Sequence, residues 1–377
     1  MPSTLSVIEL TQKLLAFDTI NPPGNEEDCL LWLCDYLKIQ EFEVSKHPFG
    51  ARRMNLIARI KGRSSGAPLA FSGHLDTVPL GSTPWQYAPF GGDIVDGKIF
   101  GRGSSDMKAA VAAFIVACIN QREAIRAGCG VVLLLTGGEE TGCDGARALI
   151  GDPSVDLPRP AAVIVGEATA NYPIIGHKGA LWLRCETQGK TAHGAMPELG
   201  INAIYLAADA IGKIRSFEIG PPHPLMKKPT LNVGTVRGGL NINSVPDHAS
   251  FDVDLRTDPS VGHPALINRL QNHLSDAVTI TALVDLPAVL TDSLHPWIKR
   301  VIDACQPLHA EPITPRIVPY FTDAAVLLNA VGNPPCVILG PGEPNMAHQT
   351  DEYCDVQSLA ACVALYQRLI GEFSQPG

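Results

Sequence analysis

Val131-Val132-Leu133-Leu134-Leu135-Thr136-Gly137-Gly138-Glu139-Glu140-Thr141-Gly142 is the stretch that decides the fold. Five consecutive apolar residues show neither the 3.6-residue period of an amphipathic helix nor the alternation of a half-wet strand. Such a run suits a central strand covered on both faces. Two glycines end it, and two acidic side chains follow at once. Burying carboxylates unpaired at the mouth of an apolar strand is costly, so a cationic partner is expected there.

Outward from this stretch the same design recurs. The run 161–165 is continuous and apolar and leads into Gly166-Glu167-Ala168-Thr169. Segments 55–60 and 68–72 read as strands, the second running into Gly73-His74-Leu75-Asp76-Thr77-Val78-Pro79. A further buried strand, 337–339, shortly precedes Ala347-His348-Gln349-Thr350-Asp351-Glu352-Tyr353. Helical spacing marks 5–16, 26–37, 296–304 and 359–373, and Asn21-Pro22-Pro23-Gly24 separates the first two. The segment 106–120 is apolar nearly all round and reads as a buried helix. Helices alternating with buried strands predict a three-layer α/β domain with a mostly parallel central sheet.

Near His177 the period changes. Leu181, Leu183 and Cys185 alternate with Trp182, Arg184 and Glu186, as in a half-exposed strand. Helical spacing at Ile201, Ile204, Ala208, Ile211 and Ile214 is followed by two alternating stretches, around Val233 and around Val253. A helix around Leu270 and a strand over 278–283 complete the order βαββαβ, a ferredoxin-like α+β unit. The predicted organisation is therefore a catalytic domain, 1–177 and 287–377, interrupted by an inserted domain, 178–286.

Composition bounds the rest. A chain of 377 residues that is 45% apolar and 18% charged can bury a large core. Its 35 glycines and 31 prolines form no low-complexity tract and point to shaped loops. A net charge of −9 argues against nucleic-acid or anionic-membrane partners. The longest apolar stretch, 109–119, is too short to span a bilayer, and the first residues lack a signal-peptide pattern. Ten scattered cysteines without a CxxC pair read as buried free thiols, and the expected location is the cytoplasm.

The chemistry-bearing residues cluster at strand ends, where open α/β sheets build their sites. His74, Glu139, Glu140 and Glu167 stand there, with His348 shortly after another strand and Asp106 in Gly101-Arg102-Gly103-Ser104-Ser105-Asp106-Met107-Lys108. Singly, each has a plain reading: Asp106 a helix N-cap, His74 a hydrogen-bonded loop residue, Glu139-Glu140 a solvated turn. Together they form an imidazole and carboxylate set without cysteine, suited to Zn²⁺, Mn²⁺ or Co²⁺.

In order and spacing, GHLDTVP, GRGSSDMK, GGEETG, VGEAT and GPGEPNMAHQTDEY resemble the signatures of a metallo-amidohydrolase family. That family comprises acetylornithine deacetylase, succinyl-diaminopimelate desuccinylase, aminoacylase and the glutamate-releasing carboxypeptidases. The resemblance covers essentially the whole chain. It implies two Zn²⁺ ions, with Co²⁺ or Mn²⁺ as substitutes, one held by His74 and Glu167, the other by Glu140 and His348, and Asp106 bridging. Asp76 would orient His74, and Glu139 would be the general base. The inserted domain would serve as lid and dimerisation domain. There His193, in Gly189-Lys190-Thr191-Ala192-His193-Gly194, would stabilise the oxyanion in a partner's site of a homodimer. Asn243 would assist at the same carbonyl, and Arg256 would clamp a substrate carboxylate. Phe321, Thr322 and Gly342 would contact substrate. The chain departs from the family pattern at Gly194, Ala168 and Phe321, where serine, proline and smaller residues are common.

The implied activity is hydrolysis of a small N-acyl amino acid, acetylornithine first. A metallo-exopeptidase or desuccinylase on the same metal site is the alternative. An inactive binding homologue is a third reading, disfavoured because Glu139 and all five ligand positions are present.

Overall fold

The computed structural model describes residues 4–274 and 276–374. Its first helix, α1 (Val7–Leu15), is set by a capping box: the Ser6 hydroxyl accepts from the Glu9 N–H, and the Glu9 carboxylate accepts from the Ser6 N–H. Then come α2 (Glu26–Ile39), the hairpin β1 (Glu43–Gly50) and β2 (Arg53–Lys61), and β3 (Leu69–His74). Helix α3 (Lys108–Asn120) is buried at every position but its last. It begins two residues later than the apolar pattern suggests. The N–H groups of Ser105 and Asp106 are taken by the Glu352 carboxylate, and Asp106 caps nothing. Helix α4 (Arg122–Ala127), β4 (Gly130–Thr136), α5 (Asp144–Gly151) and β5 (Ala162–Val165) complete this part.

Within the inserted stretch lie β6 (Gly179–Gln188), α6 (Ala203–Ile214), β7 (Thr230–Gly238), β8 (His248–Thr257), α7 (His263–Leu274) and β9 (Val278–Leu286). Their sheet has the order β7-β8-β6-β9 and is antiparallel throughout, the ferredoxin-like arrangement. Leu181, Leu183, Cys185, Phe251, Val253 and Leu255 form one face and pack with α6 and α7. Trp182, Arg184, Glu186, Asp252, Asp254 and Arg256 form the other face and stay partly exposed.

The chain ends with α8 (Pro296–Cys305), α9 (Ala324–Ala330), β10 (Cys336–Ile338) and α10 (Val356–Ser374). The central sheet has the order β1-β2-β4-β3-β5-β10. Strands β4, β3, β5 and β10 run parallel, and β2 is antiparallel to both β1 and β4. Every residue of β3, β4 and β5 is buried. On one side α3 packs on β3 and is covered by α1 and α10; α5 packs on the hairpin and against α9. Hairpin strand β1 carries no apolar run and alternates exposed with half-buried residues, so periodicity gave no sign of it.

Contacts divide the chain into two compact units. The first ends at Gly176 and resumes over Leu290–Arg316 and from Thr322 onward; the second is His177–Val289 with Ile317–Phe321. The sequence reading kept 317–321 in the catalytic domain. Val318 bridges to His177 and accepts from the Lys178 N–H, and Phe321 meets Trp182 edge-on, which draws this short segment into the second unit. All ten cysteines are free, and all but Cys129 are buried. Among the described residues no helix is long and apolar enough to cross a membrane.

Candidate metal centre

Parallel pairing puts the carboxyl ends of β3, β4 and β5 at one edge: His74 lies opposite Thr136, and Ser72 opposite Val165. The next residues on each chain segment are therefore neighbours. His74 Nε2 lies 3.1 Å from Asp106 Oδ1 and 3.7 Å from Glu167 Oε1. His348 Nε2 lies 3.1 Å from Glu140 Oε2 and 3.4 Å from Asp106 Oδ2. Two triads result, His74–Asp106–Glu167 and Asp106–Glu140–His348, with the potential ligand atoms of each within 4.8 Å of one another. Asp106 belongs to both and offers one oxygen to each imidazole. Glu139 belongs to neither, and its Oε2 is 4.0 Å from His74 Nε2.

Buried polar groups hold these side chains in place. The Asp76 carboxylate accepts from the N–H groups of Glu139 and Glu140, each at 3.1 Å, and from the Asn21 amide at 3.0 Å. His74 Nδ1 lies 3.0 Å from the Asp76 carbonyl and 3.4 Å from its carboxylate, so Asp76 orients the ring through its backbone as well as its side chain. Asn55 accepts from the Gly137 N–H, and the Gly145 and Asp144 N–H groups at the start of α5 donate back to the Gly137 and Gly138 carbonyls. Gly138 has φ +75°, and a Cβ there would stand 2.6 Å from Arg53 Nη2. Only glycine meets both demands. Arg53 in turn forks onto the buried Glu26 carboxylate at 2.8 and 3.2 Å.

Glu352 does for Asp106 what Asp76 does for the paired glutamates. It accepts from the N–H groups of Gly103, Ser105 and Asp106 at 2.8–3.0 Å and from Arg102 Nη1 at 2.6 Å. It thereby ties the Asp106 turn to the segment of His348. Sequence reasoning quoted Arg102 and Glu352 within their motifs but gave them no role, and among so many polar neighbours no local signal singled them out.

Electrostatics show an excess of buried acid in the cluster. Burial, reinforced by Glu167 and opposed by His74, pushes the Glu139 carboxyl well above the usual range. Burial and the charge of Asp106 do the same to Glu167 and push Glu140 up to about 7. Burial opposes charge on Asp106, yet hydrogen bonds from His348 and His74 hold it low. Hydrogen bonds to Asp106 and Glu140 lift His348 to about 10. His74 is raised despite its burial by Asp106 and Asp76. The carboxylates outnumber the imidazoles, and buried Glu140 Oε1 has no hydrogen-bond partner among the described residues. Two divalent cations, each facing an imidazole and two carboxylates, fit this donor set.

Residues 70–372 match the family described as Peptidase family M20/M25/M40. The chain belongs to that family. It is 30% identical over 387 residues to an acetylornithine deacetylase of Shigella sonnei (strain Ss046), covering 97% of each chain. It is 29% identical over 402 residues to a probable succinyl-diaminopimelate desuccinylase of Staphylococcus epidermidis (strain ATCC 12228 / FDA PCI 1200), covering 96% of this chain and 98% of that one. Its fold is that of the M20 family metallo-carboxypeptidase Sso-CP2 from Sulfolobus solfataricus, with a TM-score of 0.79 at 17% identity over 98% and 100% of the two chains. This M20 chain is thus a hydrolytic enzyme.

The remaining expected site residues of the M20 chain fall in two places. In the first unit, Thr322 is buried and its hydroxyl accepts from the Ala324 N–H. Gly342 packs on the Ser105 backbone so closely that a Cβ would lie 2.2 Å from the Ser105 carbonyl oxygen. Both positions thus have structural work of their own. Beside Thr322, Asp323 accepts from the Thr136 hydroxyl, and burial pushes its carboxyl up to about 6; sequence reading gave this residue no role. In the second unit, exposed His193 pairs with Ser244, and the Gly194 N–H donates to the Asn243 carbonyl at 2.7 Å. A Cβ on Gly194 would stand 2.8 Å from that oxygen, which gives a steric reason for glycine here. Arg256 is paired with Asp254, and Phe321 packs on Trp182.

Proposed function

We propose that the chain is a two-metal amidohydrolase that releases the acyl group of an N-acyl amino acid, with N-acetylornithine as the first substrate to try. The observation that carries this reading is the pair of triads sharing Asp106, with Glu139 beside them and outside both. His74, Asp106 and Glu167 would hold one ion and Asp106, Glu140 and His348 the other. The donor set of two imidazoles and carboxylates suits Zn²⁺, with Co²⁺ or Mn²⁺ as substitutes. When bound, such ions polarise a carbonyl and make water a nucleophile near neutral pH.

The chain's own residues supply the remainder. Glu139, which lies beside both triads and outside them, takes a proton from the attacking water and returns it to the leaving amine. Asp76 holds both the His74 ring and the turn that presents Glu139. His193 and Asn243 stabilise the oxyanion, Arg256 receives the substrate carboxylate, and Phe321, Thr322 and Gly342 are the remaining substrate contacts in this reading.

The inserted domain acts as lid and dimerisation domain in this reading, with a second copy of the chain as partner. In the second unit β7 is an edge strand with Val236 62% exposed. Ile204 of α6, beside the Gly238 end of β7, and Tyr205, Leu240 and Ile242 are also exposed. An unpaired edge next to apolar side chains is a surface that a second chain would cover.

A metallo-exopeptidase or desuccinylase on the same centre is the second reading, supported by the desuccinylase relative. A panel of N-acetyl amino acids, N-succinyl amino acids and dipeptides, each with added Zn²⁺, Co²⁺ or Mn²⁺, separates the two. No turnover of any N-acyl amino acid would end the first reading. Active monomers in sedimentation would end the dimer.

A further inference from the structure

Of the five residues in the two triads, His348 alone stands in the open. Its side chain is 53% exposed, whereas those of His74, Asp106, Glu140 and Glu167 are 14% exposed or less. Its backbone is left-handed, φ +65°, and so is that of Asp351, φ +55°. Such backbone is uncommon outside glycine and persists where the surroundings hold it. No strand carries His348; the nearest, Tyr353–Asp355, begins five residues later and pairs with Lys98–Phe100. An exposed ligand on such a segment would wander unless something distant in sequence tied it down.

Two side chains do so. Buried Arg102 donates from Nη1 to the Gln349 carbonyl at 3.2 Å and to Glu352 Oε2 at 2.6 Å, and from Nη2 to the Pro79 carbonyl at 3.2 Å. Its guanidinium carbon lies 5.1 Å from the centre of the Trp85 ring, and the Trp85 indole N–H donates to the Leu80 carbonyl. Asp351 Oδ1 accepts from the N–H groups of Gln86 and Tyr87 at 2.8 and 3.2 Å. Both ties end on residues 79–87, the segment that leaves β3 just beyond His74. The exposed imidazole is thereby referred to the buried strand that carries the other one. A lysine at 102 would keep a positive charge beside Glu352, but a point charge on a flexible stem cannot hold Gln349 and Pro79 in two fixed directions.

We propose that Arg102 and Asp351 are positioning residues for His348, and that they set how tightly the ion of the Asp106–Glu140–His348 triad is held. This rests on the reading of the two triads as a two-ion centre and adds what aims its exposed ligand. The His74–Asp106–Glu167 triad does not depend on these ties, because Glu352 keeps its backbone donors at Ser105 and Asp106 whatever stands at 102.

The test uses the full-length protein, stripped of metal by a chelator and titrated with Co²⁺, with calorimetry and the visible absorption of bound Co²⁺ as readouts. The parent should take two ions. Arg102→Lys and Asp351→Gly should each weaken one of them by about tenfold or more and leave the other within about threefold, the size expected when a residue that orients a metal ligand is lost. Glycine and asparagine both tolerate the φ at 351, but only asparagine keeps an acceptor for Gln86 and Tyr87, so Asp351→Asn should stay within about threefold of the parent for both ions. In a His348→Ala background, where the ligand is gone, neither Arg102→Lys nor Asp351→Gly should cost further affinity. Unchanged binding in Arg102→Lys and Asp351→Gly, equal weakening of both ions, equal loss in Asp351→Asn and Asp351→Gly, or further loss in the His348→Ala background would each overturn the proposal and leave the two-ion centre standing. Fewer than two ions on the parent would end the two-ion reading itself. Should Arg102→Lys fail to fold, the half-buried Asp351 and its two variants decide.

Discussion

The two largest sheets of this molecule are stabilised in opposite ways, and the difference decides where function can sit on each. In the central sheet β3, β4 and β5 are buried on both faces, so no side chain along them can meet a solute. Chemistry is pushed to the strand ends, where His74, Glu139, Glu140 and Glu167 gather. The second sheet covers one face with α6 and α7 and leaves the other wet, so residues in mid-strand such as Arg256 and Asp254 remain usable.

The largest effects should come from the strand ends. Dialysis against a chelator should abolish turnover, and added Zn²⁺, Co²⁺ or Mn²⁺ should restore it; undiminished activity in protein shown metal-free by elemental analysis would break the comparison at its root. Glu139→Gln should lower kcat by about 10²- to 10⁴-fold with metal content unchanged, the range for loss of a general base. A kcat within tenfold of the parent would remove Glu139 from the mechanism.

Next comes the contrast of faces. Leu133→Ala in β4 and Leu183→Ala in β6 should each cost about 2–5 kcal/mol in denaturant unfolding, because both create buried cavities. Asp252→Asn, on the wet face, should cost at most about 1 kcal/mol, since its partner Arg184 is 40% exposed. Equal costs on the two faces of β6 and β8 would mean that the wet face is covered in solution.

An effect confined to acid pH separates two buried histidines. His74 is raised by its acidic partners, whereas burial takes His177, whose Nε2 has no partner among the described residues, down to about 4. A histidine depressed in the folded state stabilises above its unfolded pKa, about 6.5. That stability is lost as pH falls toward 4, because the unfolded chain binds the proton first. His177→Phe should therefore flatten the decline in unfolding free energy between pH 7 and 5 by about 1–2 kcal/mol. An unchanged slope would show that His177 has a partner in solution.

Much of the site was legible because His74, Glu139, Glu140 and Glu167 each follow a strand whose apolar run announces it, whereas Asp106 precedes a buried helix. The hairpin strand β1 was not, since an exposed strand leaves no hydrophobic period. Nor was the role of Glu352, because a carboxylate's task depends on donors far along the chain: Asp106, whose N–H it accepts, is 246 residues away.

By itself the sequence determined that helices alternate with buried strands, that the period changes near His177, and which imidazoles and carboxylates stand at the strand ends, because period and side-chain identity are local properties. Tertiary structure alone decided that Asp106 is shared between two triads, that 317–321 joins the second unit, and that Trp182 steadies Asp254 across a strand pair. Residue type limits what a side chain can do; only the folded chain chooses which partner lies within 3 Å of it.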